Sequence, residues 1–407
     1  MGLIVQKYGG TSVGDAERIR DVAAHIARTR DGGDDVVVVV SAMGKFTDDL
    51  IRLAGEVSPT HPPRELDMLL TAGERISMAL LCMALADRGV DSTSFTGSQA
   101  GIITDTEHTR AKILEMRPDR VREALDAGLV PVVAGFQGVS VERDITTLGR
   151  GGSDVTAVAL AAALRADVCE IYTDVTGVFS ADPRVNARAR RIARVSFDEM
   201  MEISASGGRV LMLRSVEFAR RHGVPLHVRS SFTWEPGTWI VEEDPAMEQA
   251  VVTAVTDDTS EAKVTVGGVP DRPGVAARLF RELADRGINV DMIVQNTGAH
   301  GLTDISFTVV KTDLVAAREA CGAIQGEIGA ATLTSDDDIG RVSLVGAGMK
   351  SSPGVTALMF ETLAESGINI EMISTSSIRI SCVVRADSVV DAVRALHTAF
   401  GLDGAST

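Results

Sequence analysis

The chain has 407 residues, 45% of them hydrophobic, and a formal charge of −16 from 40 basic and 56 acidic side chains. That length accommodates two or three domains with their own cores, a domain taking roughly 100–200 residues, and the acidic balance argues against a nucleic-acid binder, which needs a clustered basic face. Four cysteines lie far apart with no CxxC pair and seven histidines show no metal-ligand spacing, so neither a disulfide framework nor a zinc site is expected and a reducing cytoplasm is the expected setting.

In chain order, "MGLIVQKYGG" shows no charged leader before an apolar core, and no apolar run approaches the roughly 20 residues of a membrane helix. No membrane partner is therefore expected. "LIVQKYG" (3–9) reads as a strand and "DAERIRDVAAHIART" (15–29) as a helix capped near Ser12 or Asp15. Between them Gly9 and Gly10 free backbone amides beside Lys7, which suits a phosphate, although the Walker spacing is absent. "VVVVVSA" (36–42) suits a strand covered on both faces. "RELDMLLTAGERISMALLCMALADRG" (64–89) has a helical period and carries Glu74, which either faces solvent or points into a cleft.

"VPVVAGF" (130–136), "CEIYTDV" (169–175) and "PLHVRSS" (225–231) read as further strands, so a layered helix–sheet–helix domain is expected up to about residue 243. "LGRGGSD" (148–154) sets Arg150 among Gly149, Gly151 and Gly152, where its fork can grip a carboxylate and the backbone can come close. Ser153 and Asp154 then open a helix. Asp154 either only favours the helix dipole or takes part in the chemistry. In "YTDVTGVFSADPR" (172–184), Thr173 and Asp174 stand at the carboxyl edge of a strand, where α/β sheets place ligands. Arg184 can meet a phosphate or a surface carboxylate.

The second half contains a repeat. "PGVAARLFRELADRGINVDMI" from Pro273 and "PGVTALMFETLAESGINIEMI" from Pro353 are offset by 353 − 273 = 80 residues and share about a dozen of 21 positions. Each copy reads as strand ("KVTVGGV" 263–269; "RVSLVGA" 341–347), Pro-Gly turn, helix closed by Gly287 or Gly367, "GIN" strand, alternating strand ("DISFTVV" 304–310; "IRISCVV" 378–384) and last helix. This is the split βαββαβ unit. Two such units suggest a sensor, a purely dimerising role being the alternative. Asp271, Asn289, Gln295 and Asn369 occupy positions where a small zwitterion can be held.

The stretches "KYGGTSV", "SAMGKFTDDL", "LLTAGERIS", "SFTGSQAGIIT", "VAGFQGV", "TTLGRGGSD" and "YTDVTGVFSADPR", followed by the paired repeats, resemble the aspartate kinases, in their actinobacterial form, over essentially the whole chain. The resemblance implies an α/β protein: a three-layer amino-acid kinase fold over 1–243, then two ferredoxin-like βαββαβ ACT domains over 262–336 and 337–403, the second completed by a strand from 247–261. It implies transfer of the γ-phosphoryl group of ATP to the β-carboxylate of L-aspartate, giving 4-phospho-L-aspartate for lysine, threonine and methionine synthesis. A carboxylate nucleophile is already ionised at neutral pH, so positioning and charge stabilisation would carry catalysis.

By the matching motifs, Lys7 would stabilise the transferring phosphoryl group, with Gly9, Gly10 and the Thr11 and Ser12 amides around the phosphates. Asp154 would orient Lys7 and order the triphosphate, whose Mg²⁺ ion comes with ATP and needs no metal site of the protein. Arg150 would clamp a carboxylate of aspartate, Glu74 would receive its ammonium, and Ser41, Thr47 and Ser153 would complete that pocket. Thr173, Asp174, Phe179, Asp182 and Arg184 would line the nucleotide site, together with Arg209 of "SGGRVLM", where the family usually has lysine. Asp271, Gly274, Ile288, Asn289, Gln295, Asn369 and Ile370 match the family's threonine pocket, with lysine a candidate co-inhibitor. The implied assembly is a homo-oligomer, or α2β2 with an internally initiated ACT-only subunit from about Met247. Glutamate, N-acetylglutamate and UMP kinases share the architecture. Arg209, and Thr176 in place of a second aspartate of "TDVDGV", leave a catalytically weakened amino-acid sensor as the alternative.

Overall fold

The computed structural model describes residues 2–208, 210–242, 251–296, 298 and 301–404. Two compact units emerge. The first holds Met1–Val178, Arg191–Ser204 and Arg209–Pro245; the second holds Phe179–Arg190, Ala205–Gly208 and Ala246–Thr407.

In the first unit the strands are β1 (Leu3–Tyr8), β2 (Asp35–Val40), β3 (Ser92–Phe95), β4 (Ile102–Thr104), β5 (Ile113–Met116), β6 (Val130–Ala134), β7 (Gln137–Ser140), β8 (Ile145–Thr147), β9 (Val168–Thr173), β10 (Arg194–Ser196), β11 (Leu226–Ser230) and β12 (Thr238–Val241). The helices are α1 (Ala16–Asp31), α2 (Phe46–Val57), α3 (Pro63–Leu70), α4 (Ala72–Ala86), α5 (Asp119–Asp126), α6 (Gly152–Leu164), α7 (Phe197–Ala205) and α8 (Leu213–His222). The main sheet runs β10-β12-β11-β9-β1-β2-β6-β3. Its centre is parallel and only the β11–β12 pair is antiparallel.

The valine run makes β2 central, with all of Val36–Val40 buried. Val36, Val38 and Val40 meet Ile19, Val22 and Ile26 of α1 and Leu81 and Leu85 of α4. On β1, β2 and β9 lies α6, whose side chains are buried nearly all round, with α8 against it. Each fully buried valine removes apolar surface worth about 1.5–3 kcal/mol, so this stack holds the carboxyl ends of β1, β2 and β9 rigidly.

The first unit departs from the sequence reading in three ways. The segment 64–89 forms two helices rather than one: α3 ends at Leu70 and α4 begins at Ala72, and at the intervening Thr71 the side-chain hydroxyl donates to Met68 O at 3.0 Å while the carbonyl accepts from Gln137 Nε2 at 3.2 Å. That stretch, Pro63–Ala86, is also long and apolar enough to span a membrane by length and composition, against the expectation that none is; half of its most apolar window is buried inside the protein. Finally, a small sheet β5-β4-β7-β8 was not foreseen, its strands being only three or four residues long.

In the second unit follow β13 (Ala254–Asp258), β14 (Glu261–Pro270), α9 (Val275–Asp285), β15 (Ile293–Gln295), β16 (Leu302–Val310), α10 (Leu314–Ile328), β17 (Thr332–Asp336), β18 (Ile339–Val345), α11 (Val355–Glu365), β19 (Met372–Thr375), β20 (Arg379–Arg385) and α12 (Val389–Ala399). Two sheets result, β15-β16-β14-β17 and β13-β18-β20-β19. The edge place that β17 takes in the first is taken in the second by β13, from upstream of both repeats. Gly287 and Gly367 lie just past α9 and α11 at φ of +71° and +70°, the left-handed turn that glycine favours there. The "GIN" segments themselves are not strands; β15 and β19 begin a few residues later.

Candidate active site

At the carboxyl end of β1 the chain turns through Gly9 and Gly10. Lys7, buried on that strand, places its Nζ 2.6 Å from Asp154 Oδ1 in the first turn of α6. A charged pair this far from water holds only because each partner answers the other. Gly9 N donates to Tyr172 O at 3.1 Å, and Gly44 N donates to Gly10 O at 2.9 Å. A Cβ on Gly10 would stand 2.8 Å from Ala42 O, so no side chain fits there. Close by, Ser231 N donates to Thr173 O at 2.9 Å and Ser231 Oγ to Ser12 Oγ at 2.8 Å. Lys7, Gly9, Gly10, Ser12, Asp154 and Thr173 thus gather at one strand edge.

The second half of the site adjoins it through the Gly10–Ala42 contact. Ala42 N donates to Glu74 Oε1 at 3.1 Å, while Glu74 Oε2 is buried without a hydrogen-bond partner among the described residues. Burial raises the Glu74 carboxyl to about 7, against the lowering effect of the backbone hydrogen bonds it accepts. Ser41 N donates to Tyr8 O at 3.1 Å, and Gly135 passes so near Ser153 that a Cβ would lie 2.8 Å from that side chain. Thr47 is half-buried in α2. Arg150 is exposed, between Gly149 at φ +76° and Gly151 at φ +73°. This end has the polarity for an amino acid: a buried carboxylate, serine groups and an accessible guanidinium.

Not all the expected nucleotide residues join this cluster. Asp174 is exposed and hydrogen-bonded by Thr173 Oγ1 at 3.2 Å. Phe179, Asp182 and Arg184 belong to the second unit, where Arg184 and Asp182 form an ion pair at 2.6 Å. Arg209 and Met247 lie outside the described residues. Conversely, Ser231 and the Ala42 backbone went unnoticed in the sequence; Ser231 directly follows a strand lying parallel to β9, which is the signal that could have found it.

Under the Lys7 end of the site runs a polar network that the scattered histidines did not announce. Glu170 Oε2 accepts from Gln6 Nε2 and Tyr172 OH, both at 2.9 Å, and Glu170 Oε1 from Arg229 at 3.1 Å. Burial alone would raise that carboxyl, yet the hydrogen bonds from His227 and Gln6 and the Arg229 charge bring it down to about 2. Tyr172 stacks on Tyr8 at 4.8 Å, fixing the strand residues next to Lys7 and Gly9.

In the second unit a pocket of about 320 Å³ opens beside the Pro270–Ala276 turn, with Asp271, Gly274, Gln295 and Thr303 among its lining. Asn289 and Asn369 are exposed at equivalent places of the two repeats, Ile288 is buried in one core, and Ile370 packs against the other.

Together, a glycine-flanked lysine–aspartate pair at a parallel-sheet edge and a buried carboxylate beside it define an α/β phosphotransferase, joined to paired ACT-type units. The amino acid kinase family model matches residues 2–230, and ACT domain models match residues 263–320 and 342–400. The aspartokinase of Mycolicibacterium smegmatis is 58% identical over 409 residues, covering 99% of this chain and 97% of its own. Among solved structures, the aspartate kinase from Synechocystis matches at 46% identity and TM-score 0.56, over 100% of this chain and 70% of that one. Escherichia coli aspartokinase III, in complex with lysine and aspartate in its T-state, matches at 25% identity and TM-score 0.73, over 97% and 99%. The chain belongs to the amino acid kinase family, among its aspartokinases.

Proposed function

We propose that this chain, an ATP-dependent kinase acting on aspartate, transfers the γ-phosphoryl group of ATP to the β-carboxylate of L-aspartate, yielding 4-phospho-L-aspartate and ADP. The observation that carries this reading is the buried Lys7–Asp154 pair standing beside Glu74, a buried carboxylate with one unanswered oxygen. Magnesium-bound ATP supplies the phosphoryl group and part of the charge neutralisation. The bare backbone at Gly9 and Gly10 and the cation of Lys7 fit a triphosphate. Lys7 then faces developing negative charge while Asp154 holds its ammonium in place. Thr11, Thr173 and Asp174 flank the phosphates and nucleotide, with Arg209 as a further expected nucleotide residue.

Glu74 takes the substrate ammonium, Arg150 its α-carboxylate, and Ser41, Thr47 and Ser153 orient what is left. Because the attacking group is already an anion, the chain has only to align it and screen repulsion between it and the phosphates. Trapping of the acyl phosphate with hydroxylamine, acceptor by acceptor, tests this: aspartate gives hydroxamate, whereas glutamate and N-acetylglutamate do not, and UMP gives no ATP turnover. Hydroxamate from glutamate alone would contradict the assignment.

The product would serve lysine, threonine and methionine synthesis, with feedback by threonine, lysine or both at the ACT pair. The pocket at Asp271, Gly274 and Gln295 has the volume and polarity for a free amino acid, Asn289, Ile288, Asn369 and Ile370 being the remaining expected contacts. As to assembly, a homo-oligomer or α2β2 with a subunit started at Met247 is proposed. The edge strand Ala254–Asp258 lies downstream of Met247, so that subunit would carry its own fourth strand. A single species by mass spectrometry, from a gene with the internal start intact, would sink the α2β2 form.

A further inference from the structure

Asp67, in the last turn of α3, is completely buried, yet it belongs to neither half of the site. Its Oδ1 accepts from Thr147 Oγ1 at 2.5 Å, its Oδ2 pairs with His108 Nδ1 at 2.6 Å, and Thr109 N reaches both oxygens at 3.1 Å. Every one of these partners leads to the Arg150 loop. Thr147 is the last residue of β8, immediately before Leu148 and the "GRGGSD" turn. Thr109 is a non-glycine residue held at φ +67°, and its carbonyl oxygen lies 3.1 Å from where a Cβ on Gly149 would be. The same junction is stitched by Ala111 N donating to Thr147 O at 2.9 Å, and by Arg214 donating to Leu148 O and Ala111 O, each at 2.9 Å.

On the other side, α3 runs through Thr71 straight into α4, whose first turn carries Glu74. Asp67 is thus the joint between the helix pair that presents Glu74 and the loop that presents Arg150. Apolar packing would hold these segments together without the cost of burying a carboxylate. A carboxylate met by directional donors does something further, because it fixes where they stand.

We infer that Asp67 is a positioning residue for the acceptor: it sets the separation between Glu74 and Arg150, and through it the affinity for the amino acid. This rests on the reading that those two side chains hold the ammonium and carboxylate of aspartate. Since Lys7 and the glycine turn are carried by β1, and Asp154 by α6, which packs on β1 and β9, the larger consequence falls on aspartate.

The test is steady-state kinetics on the full chain carrying Asp67→Asn, which keeps the shape and removes an acceptor, and separately Thr147→Val, which keeps Asp67 and removes one donor. Both raise KM for aspartate about tenfold or more, as expected for a small misplacement of binding groups, and leave KM for ATP within about twofold; in the double variant the two rises are not additive, because both changes act on the one network around Asp67. Folded variants with an unchanged aspartate KM, or with equal rises for both substrates, overturn the inference. Glu74→Gln and Arg150→Met run alongside separate the two levels. If they raise the aspartate KM and the Asp67 and Thr147 variants do not, only the positioning role fails; if they too leave it unchanged, the site reading falls and takes this inference with it.

Discussion

Glu74 is the residue whose environment says most. Its carboxyl, raised to about 7 by burial, is protonated in the ligand-free protein just below neutrality, whereas an ammonium needs the carboxylate. The kcat/KM for aspartate should therefore fall as pH drops through about 7, and that limb should vanish in Glu74→Gln, as a pH profile of the two proteins would show. Stability moves the other way. A carboxyl whose pKa is raised on folding contributes stability that is full below its unfolded value and lost as pH rises through its folded one. Ligand-free Glu74→Gln should accordingly gain on the parent between pH 5 and pH 8, by up to about 3 kcal/mol in urea unfolding. For Lys7→Met, kcat should fall about 10²–10³-fold with little change in aspartate KM, since its charge is needed most in the transition state. Lys7, Asp154 and Glu74 drew notice in the sequence as charges beside glycines or within an apolar run, but only the family resemblance gave Asp154 and Glu74 a role. Asp67 did not: nothing near it in the chain shows that its partners come from positions 108, 109 and 147.

Among the elements, β1, β2, β6, β9 and β11 of the main sheet were readable because buried parallel strands are continuous apolar runs, whereas β3, β10 and β12, only three or four residues long, were not. Harder to see was the break at Thr71, where the carbonyl also meets Gln137 from a distant strand, and the late start of β15 and β19, where pairing with β16 and β20 overrides the local "GIN" pattern. The loop before α6 owes its shape to one glycine above the others. A Cβ on Gly151 would lie 2.1 Å from Met212 Cγ, at φ +73°. Gly151→Ala should cost about 1 kcal/mol or more from the backbone conformation alone and weaken aspartate binding by moving Arg150. Thermal unfolding and aspartate KM measured on that variant check both.

At the scale of the molecule, the chain divides unevenly along its sequence: Phe179–Arg190 and Ala205–Gly208, inside the family's kinase region, fold with the paired ACT units. No local pattern marks this. It follows from contacts such as Ser180 Oγ with His397 Nε2 at 2.9 Å and the Arg341 guanidinium with Ala205 O at 2.9 Å. Arg341 on β18 is wholly buried, pairs with Glu261 on β14 at 3.0 Å and with Asp291 before β15, and so ties the two ACT sheets together. Arg341→Met would strand those carboxylates and should destabilise the second unit by about 3–5 kcal/mol, visible as a lowered unfolding transition.

The most direct measurement is the initial rate of ATP- and aspartate-dependent acyl-phosphate formation, trapped as hydroxamate, with threonine and lysine absent, singly and together. Turnover on aspartate that one or both effectors suppress is the predicted result. A folded protein that binds threonine but forms no hydroxamate from aspartate would contradict it.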